Sequence, residues 1–323
     1  MNIRQLRSLC EVLRHGLHIS EAAKAVHASQ SGVSKQILEL EHELGVTIFA
    51  RKRNRIVGIT EPGRALVTLA QRIVRDADTM REVAADYGSK ETGRLVLATT
   101  QTHARYTLPR SVKAFTERYP RVEFSLRAET PDECCRLVAD SHADLAITTH
   151  PSGTFHRLVA LPAYKLARCL VMPAGNALAD TPRLTLQKIA RYPLITYDSM
   201  FSSRRVVNKA FADHGLAPHV SLSAVDPDIC KKYVALGMGV AILPKIAFES
   251  DVDKTLRTRD VSHLFDHGTV NIYLRRDGYL RRFVYDFVAL FAPHVERSTI
   301  ERALQDGTLQ TGADGDLPFA ENA

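Results

Sequence analysis

The segment ASQSGVSKQILELEHELG, residues 28–45, sets Val33, Ile37, Leu40 and Leu44 at helical spacing on one side and Gln30, Ser31, Ser34, Lys35 and Gln36 over much of the other. An exposed helix face is ordinarily filled with Glu and Lys. Here small hydroxyls and amides occupy it, and Glu39, Glu41 and Glu43 enter only in the later turns. Hydroxyls and amides let a helix approach a polyanion closely and donate to phosphates or base edges, whereas glutamates on that face would be repelled.

The flanking residues supply the rest of a small module. Upstream, Ile3, Leu6, Leu9 or Cys10, and Leu13 recur at helical spacing until Gly16 stops the run. Ser20 is the expected cap of a short second helix, EAAKAV, and a turn at HAS leads into the quoted segment, which ends at Gly45, a residue suited to a left-handed helix terminus. Downstream, two β-prone runs in VTIFARKRNRIVGIT flank RKRNR, which predicts a hairpin with a cationic tip. A charge run alone reads as a solvated loop; directly after a helix-turn-helix pattern it reads as a wing on a DNA backbone. The expected DNA contacts are therefore Gln30, Ser31, Ser34, Lys35 and Gln36 on the helix and Arg51, Arg53 and Arg55 on the wing.

From Thr60 the chain has an N-cap, Glu61 and an early Pro62, then no breaker until Gly88. Leu66, Leu69, Ile73, Met80, Val83 and Tyr87 follow alternating steps of three and four, with Asp76 as a polar interruption, the pattern of a coiled-coil seam. A helix of about 27 residues spans roughly 40 Å, long for packing on its own sixty-residue module and suited to joining two modules in a dimer.

Residues 93–295 change character. The apolar runs RLVLATT, VEFSLRAE, DLAITT, PLITY, HVSLSAV, VAILP and VNIYLRR alternate with helical segments, which predicts α/β architecture with mostly parallel sheets. An amphipathic helix, YLRRFVYDFVALFAPHV, closes the domain, and QDGTLQTGADGDLPFAENA reads as a loose tail. Within the α/β region, TTQTHARY places Thr99, Thr100 and Thr102 between a strand end and a helix start, Thr149 ends another strand, and Ser202 and Ser203 precede a helix expected near Arg204. Hydroxyls beside helix N-termini can hold an oxyanion without a buried Lys or Arg, whose desolvation is costly, although capping is the commoner role of any one of them.

The segment SEAAKAVHASQSGVSKQILELEHELGVTIFARKRNRIVGITEPG resembles the DNA-binding region of LysR-type transcriptional regulators. The later stretches LATTQTHARYTLP, ADLAITT, FSSRR and DPDICKKYVALGMGVAILP resemble the CysB-like subgroup of that family. The resemblance implies a winged helix-turn-helix at 1–59, a linker or dimerisation helix and hinge at 60–92, and an effector domain at 93–295. That domain would comprise two α/β subdomains like periplasmic binding proteins, about 93–162 with 267–295 and about 163–266, followed by a tail at 296–323. It further implies a homodimer or homotetramer that binds double-stranded promoter DNA, contacts RNA polymerase, and controls sulfur assimilation, cysteine biosynthesis or sulfonate use. The implied effector is sulfate, O-acetylserine, N-acetylserine, adenosine phosphosulfate or a related small anion, and Thr100, Thr102, His103, Thr149 and Ser202 are its implied contacts. His103 stands where relatives carry Gln and could add positive charge near a pKa of about 6.5; Ser31 stands at a position frequently Pro.

The rest of the composition bounds the alternatives. The 323 residues are 45% hydrophobic with a net charge of +7, enough chain for two or three cored domains, with a basic excess too modest to name a partner. The N-terminus has no uninterrupted apolar region and no run is long enough to span a membrane, so a cytoplasmic protein without a membrane partner is expected. The five cysteines, odd in number and without C-x-x-C spacing, read as reduced thiols, and the scattered thirteen histidines offer no metal spacing. No G-x-S-x-G elbow, P-loop or H-E-x-x-H motif is present, so no catalytic residue and no cofactor are assigned. The rival readings are a LysR-type regulator of another pathway, a small-molecule-binding protein, or an enzyme.

Overall fold

The computed structural model describes residues 1–53, 55–87, 92–306 and 317–320, in two units that divide after Ser89. In the first, Asn2 accepts from the N–H groups of Arg4 (3.0 Å) and Gln5 (3.1 Å) while Gln5 reaches back to the Asn2 N–H, a capping box that opens α1 (Ile3–Arg14). Helix α2 (Ile19–Ala25) starts one residue before Ser20; His18 holds the cap position without a side-chain bond, so Ser20 is not the cap. The quoted segment forms α3 (Gln30–Leu44), capped by Ser29, which accepts from Gly32 N–H at 3.0 Å, and ended by Gly45 at φ 68°. Val33, Ile37 and Leu40 are fully buried against Leu9, Val12, Ala22 and Ala23, whereas Leu44, the last residue of the expected stripe, lies in the final turn and is exposed.

The hairpin follows as β1 (Phe49–Lys52) and β2 (Arg55–Ile59), and then α4 (Glu61–Tyr87). Glu41 ties the hairpin to α3. Its buried carboxylate accepts from the N–H groups of Ile48 (2.7 Å) and Phe49 (2.9 Å) and pairs with Arg51 at 2.7 Å. Helix α4 has two faces: Val67 and Ala70 are buried in the core of this unit with Leu66 and Val74 beside them, while Leu69, Ile73 and Met80 stay exposed. Leu66 therefore departs from the expected seam, and the side chain of Tyr87 lies outside the described residues.

The second unit holds two five-stranded sheets. The chain lays down β3 (Gly93–Thr99), α5 (Gln101–Tyr106), α6 (Pro109–Arg118), β4 (Val122–Ala128), α7 (Pro131–Ala139), β5 (Leu145–Thr149) and β6 (Leu158–Leu166). After Ala167 it enters the second lobe with β7 (Arg168–Pro173), α8 (Leu186–Ile189), β8 (Leu194–Tyr197), α9 (Ser202–Ala212), β9 (Val220–Ala224), α10 (Pro227–Ala235), β10 (Val240–Pro244) and β11 (Leu256–Asp260). It returns with β12 (Gly268–Arg275), α11 (Arg282–Phe291) and α12 (Arg297–Asp306). The strand orders are β4-β3-β5-β12-β6 and β11-β7-β10-β8-β9.

The sheets are mixed rather than mostly parallel. In the first, β3 runs parallel to β4 and β5, but β12 is antiparallel to β5 and β6; in the second, β8 runs parallel to β9 and β10, but β7 is antiparallel to β10 and β11. The strands that carry the chain between lobes enter against the direction of the βα units, which reverses them. The first lobe's sheet also continues through Leu166, beyond the expected boundary at 162.

The region from 296 is not wholly a loose tail. Helix α12 buries Ile300 and Ala303 in the first lobe's core, because its apolar positions recur at helical spacing and find the open side of β6 and α11. Farther on, Ala320 N–H donates to Lys165 O and Lys165 N–H to Pro318 O, both 2.9 Å, on the edge strand β6. The remainder of the tail, and the hinge at 88–91, lie outside the described residues. All five cysteines are unpaired. Burial pushes the Cys10 thiol up to about 11 and those of Cys134, Cys169 and Cys230 up to about 12, so they stay protonated at neutral pH.

Glu41 should be the most sensitive polar position of the first unit. Glu41→Ala strands two buried N–H groups and is expected to cost about 2–4 kcal/mol, read as a lowered melting temperature of the full chain, while Arg51→Ala should cost roughly 1 kcal/mol. An unchanged melting curve for Glu41→Ala would remove the carboxylate from this role.

Candidate functional site

On the first unit, the α3 face read from sequence divides in two. Gln30, Ser31 and Lys35 are exposed and Ser34 is half-buried on the same side, next to the free N–H groups of the first turn. Ser29 fixes the helix start immediately before Gln30, so Ser31 in place of Pro leaves α3 capped. Gln36 faces inward instead, its side-chain oxygen accepting from Ser8 at 2.5 Å, which braces α1 to α3. The wing divides as well. Arg53, at φ 49° in the turn, and Arg55 are exposed without a carboxylate partner among the described residues, whereas Arg51 is committed to Glu41. Lys52 is exposed beside them. Together the α3 face and the wing carry helix N–H groups, hydroxyls, an amide and cations, with Lys35 at 3.8 Å from Glu39 and the wing cations unpaired among the described residues, which is chemistry for a polyanion.

In the second unit, Thr100, Thr102, His103, Thr149 and Ser202 all line one cavity of about 340 Å³ between the two sheets. Thr100 holds the N-cap position of α5 but its hydroxyl makes no capping bond, and Thr102 meets the buried Tyr197 hydroxyl at 3.2 Å. Ser202 starts α9 rather than preceding it, and donates to Thr149 at 2.8 Å across the lobes. Because Thr149 Oγ1 already accepts from Ser202, its own proton is free for an acceptor in the cavity. Leu166, Phe201, Val206 and Pro244 add an apolar wall, and His267, Gly268 and Thr269 close another side.

Two features depart from the sequence reading. His103 is fully enclosed, and burial pushes its pKa down to about 4, so the ring is neutral at neutral pH and brings hydrogen bonding rather than charge. The site also contains the buried arginine that the hydroxyl argument did without. Arg168, the first residue of β7, lines the cavity at 3% exposure, and its Nη1 donates to Ser203 Oγ at 2.6 Å. Burial pushes its pKa down to about 10, which leaves it cationic at neutral pH. In the sequence, KLARCLVMP offers only one arginine before a strand-like run, with nothing to place it in a cleft.

Polar contacts join the lobes on either side of the cavity. Arg205 of α9 donates to the carbonyl of His150 at 3.3 Å and to the Ser152 hydroxyl, over a loop whose Ser152 and Gly153 N–H groups are held by Asp132. Beyond α5, the Tyr106 hydroxyl donates to Asp228 of α10 at 2.6 Å, and the buried Lys231 joins Asp228 (3.0 Å), Asp253 (2.8 Å) and Tyr106 (3.2 Å).

Comparison with known proteins gives both units relatives. Residues 3–64 match the bacterial regulatory helix-turn-helix protein, lysR family, and residues 88–296 match the LysR substrate binding domain. The chain is 41% identical over 305 residues to the HTH-type transcriptional regulator CysB of Burkholderia cenocepacia, covering 94% of this chain and 97% of that one. It is 39% identical over 306 residues to the HTH-type transcriptional regulator SsuR of the same species, covering 95% and 99%. The crystal structure of the cofactor-binding domain of the Cbl transcriptional regulator superposes with a TM-score of 0.63 at 34% identity, covering 68% of this chain and 95% of that one. Among the described residues no helix is long and apolar enough to cross a membrane.

The buried His103 predicts a pH signature. Its pKa is depressed in the folded chain, so the unfolded chain binds the extra proton between about pH 6.5 and 4 and stability falls as pH drops through that window, by roughly 3 kcal/mol in full. His103→Gln should flatten this part of the profile in pH-resolved thermal unfolding; an identical profile would mean that the ring is solvated.

Proposed function

Given that the chain belongs to the LysR family of bacterial transcriptional regulators, we propose that it binds promoter DNA and controls sulfur-assimilation or sulfonate-use genes in response to a small anionic effector. It is a regulator and not an enzyme. The observation that carries the effector reading is the lining of the cavity. Thr100, Thr102, Thr149 and Ser202 bring hydroxyls to it from both lobes, and no Asp or Glu lines it. A cavity whose polar groups are donors and cations, without carboxylates, favours an oxyanion such as sulfate, N-acetylserine, adenosine phosphosulfate or the carboxylate end of O-acetylserine.

Binding draws on the two lobes together, so occupancy favours whichever lobe arrangement brings the hydroxyls of Thr149 and Ser202 to one anion. The output passes to DNA through an assembly of chains. Leu69, Ile73 and Met80 on α4 form an exposed apolar stripe whose burial suits a second copy of the same helix, in a homodimer or homotetramer. Contact with RNA polymerase and action in the cytoplasm complete the proposal. In the DNA-binding unit, Gln30, Ser31, Ser34 and Lys35 meet the groove and Arg53 and Arg55 the backbone, while Gln36 and Arg51 hold that surface in shape.

Three measurements test the proposal. Arg53→Ala and Arg55→Ala should weaken DNA binding across sequences and flatten the slope of log K against log salt by about 1 each, while Ser34→Ala shifts sequence preference. Ile73→Glu should lower the oligomeric state in sedimentation. Equal retention on DNA by the arginine variants would sink the DNA reading. A thermal-shift series with the anions above, at fixed ionic strength, should raise the melting temperature for at least one of them. No shift with any of them would remove the anion reading.

A further inference from the structure

We infer that Arg168 is the charge-matching residue of the effector cavity, which therefore selects a fully ionised oxyanion over a neutral molecule of the same shape. The inference rests on the anionic-effector reading above and adds the residue that sets its charge.

Arg168 is 3% exposed and makes no ion pair within 4 Å among the described residues, although the Asp266 carboxylate acts on it from farther off. Its hydrogen-bond partners are neutral: Nη1 donates to the Ser203 hydroxyl at 2.6 Å and Nε to the backbone carbonyl of Asp266 at 3.4 Å. A guanidinium taken out of water without an ion pair is costly to keep, and an anion entering the cavity is the counter-charge it lacks. The other charged group in the lining, Arg205, is exposed and spent on the loop at 150–152, so the buried positive charge comes from Arg168.

The hydroxyls transmit that charge. Ser203 accepts from Arg168, so its one proton points elsewhere, and it sits beside Ser202, whose proton goes to Thr149 and leaves the Thr149 proton for the cavity. Both relays end in donors. A guanidinium behind a hydroxyl polarises it and strengthens the bond it gives onward. Both serines stand in the first turn of the eleven-residue α9, where the positive end of the helix dipole adds to the same field. A neutral ligand receives the donors but not the charge.

The alternative is that Arg168 only braces α9 to the loop at Asp266. Calorimetry on the full chain distinguishes the two, with sodium sulfate titrated against sodium chloride of equal ionic strength and dimethyl sulfone as the neutral isostere. The wild type should bind sulfate and should bind the sulfone at least about tenfold more weakly. Arg168→Gln should weaken sulfate by about ten- to hundredfold, Arg168→Lys should recover part of that loss, and Ser203→Ala should lose about tenfold. Arg168→Gln with wild-type sulfate affinity would overturn the assignment and leave a brace. Should that variant not fold, the wild type still decides, since sulfone binding equal to sulfate overturns it and sulfate-only binding supports it. A wild type that takes up no oxyanion overturns the anionic-effector reading and this inference with it.

Discussion

The double crossing of the chain between its two sheets is the constraint on which the effector unit depends. Strand β6 runs out of the first lobe and reaches β7 through Ala167 alone, and the segment after β11 brings the chain back as β12. These two crossings join the lobes, and the cavity lies between the two sheets. The residues that line it follow from this. Thr100 and Thr149 sit at or just beyond the carboxyl ends of β3 and β5, Tyr197 ends β8, Arg168 begins β7 and Gly268 begins β12. Ligands of open α/β sheets collect at the carboxyl ends of parallel strands, where helix N-termini converge. Here strand ends of both sheets line one cavity, together with Arg168 and Gly268 at the starts of the antiparallel crossing strands β7 and β12.

The DNA-binding unit solves a different problem with one buried carboxylate. A wing serves the proposed DNA contact only if its cations are held at a fixed offset from α3. Glu41 supplies that register by accepting from the Ile48 and Phe49 N–H groups where the hairpin leaves α3, and by holding Arg51. The charge run therefore has internal structure. One arginine neutralises the carboxylate that builds the wing, and Arg53 and Arg55 beyond it keep their charge for solvent or DNA.

Much of this was legible because the signals are local. The apolar stripe of residues 28–45, the stop at Gly45 and the cationic hairpin each follow from spacing within a few residues, and the structure has them where the pattern puts them except at Leu44, which is exposed. The five hydroxyl and imidazole positions converge on one cavity because each sits at a strand end or helix start, which sequence marks. Pairing over long separations was not legible. Nothing near Gln36 announces that Ser8 will claim it, and nothing near Arg168 places it opposite α9. The same holds for β6, whose interior Pro162 sits at the register shift against β12, and for α12, whose weak stripe matters only because the first lobe offers it a core. The charge of His103 is illegible for a related reason: it is set by enclosure, which sequence does not encode locally.

The unequal charges of His103 and Arg168 bear on how the cavity could act as a switch. An effector moves a two-state equilibrium only by the difference in its affinity for the two states, and passage from 1:99 to 99:1 takes about a 10⁴-fold difference. Hydroxyls alone bind an anion weakly in competition with water, and a second charged group such as protonated His103 would make affinity follow pH as much as ligand. A single permanent cation behind neutral donors avoids both. Arg168 enters from the crossing strand, Ser202 and Ser203 from the second lobe, and Thr100, Thr102 and Thr149 from the first. An anion bound to these hydroxyls, as proposed, would have its full affinity only when the lobes stand as they do here. The interlobe bonds of Arg205 and of the Tyr106, Asp228 and Lys231 cluster favour that same arrangement, and the part they already supply lessens what the effector must add.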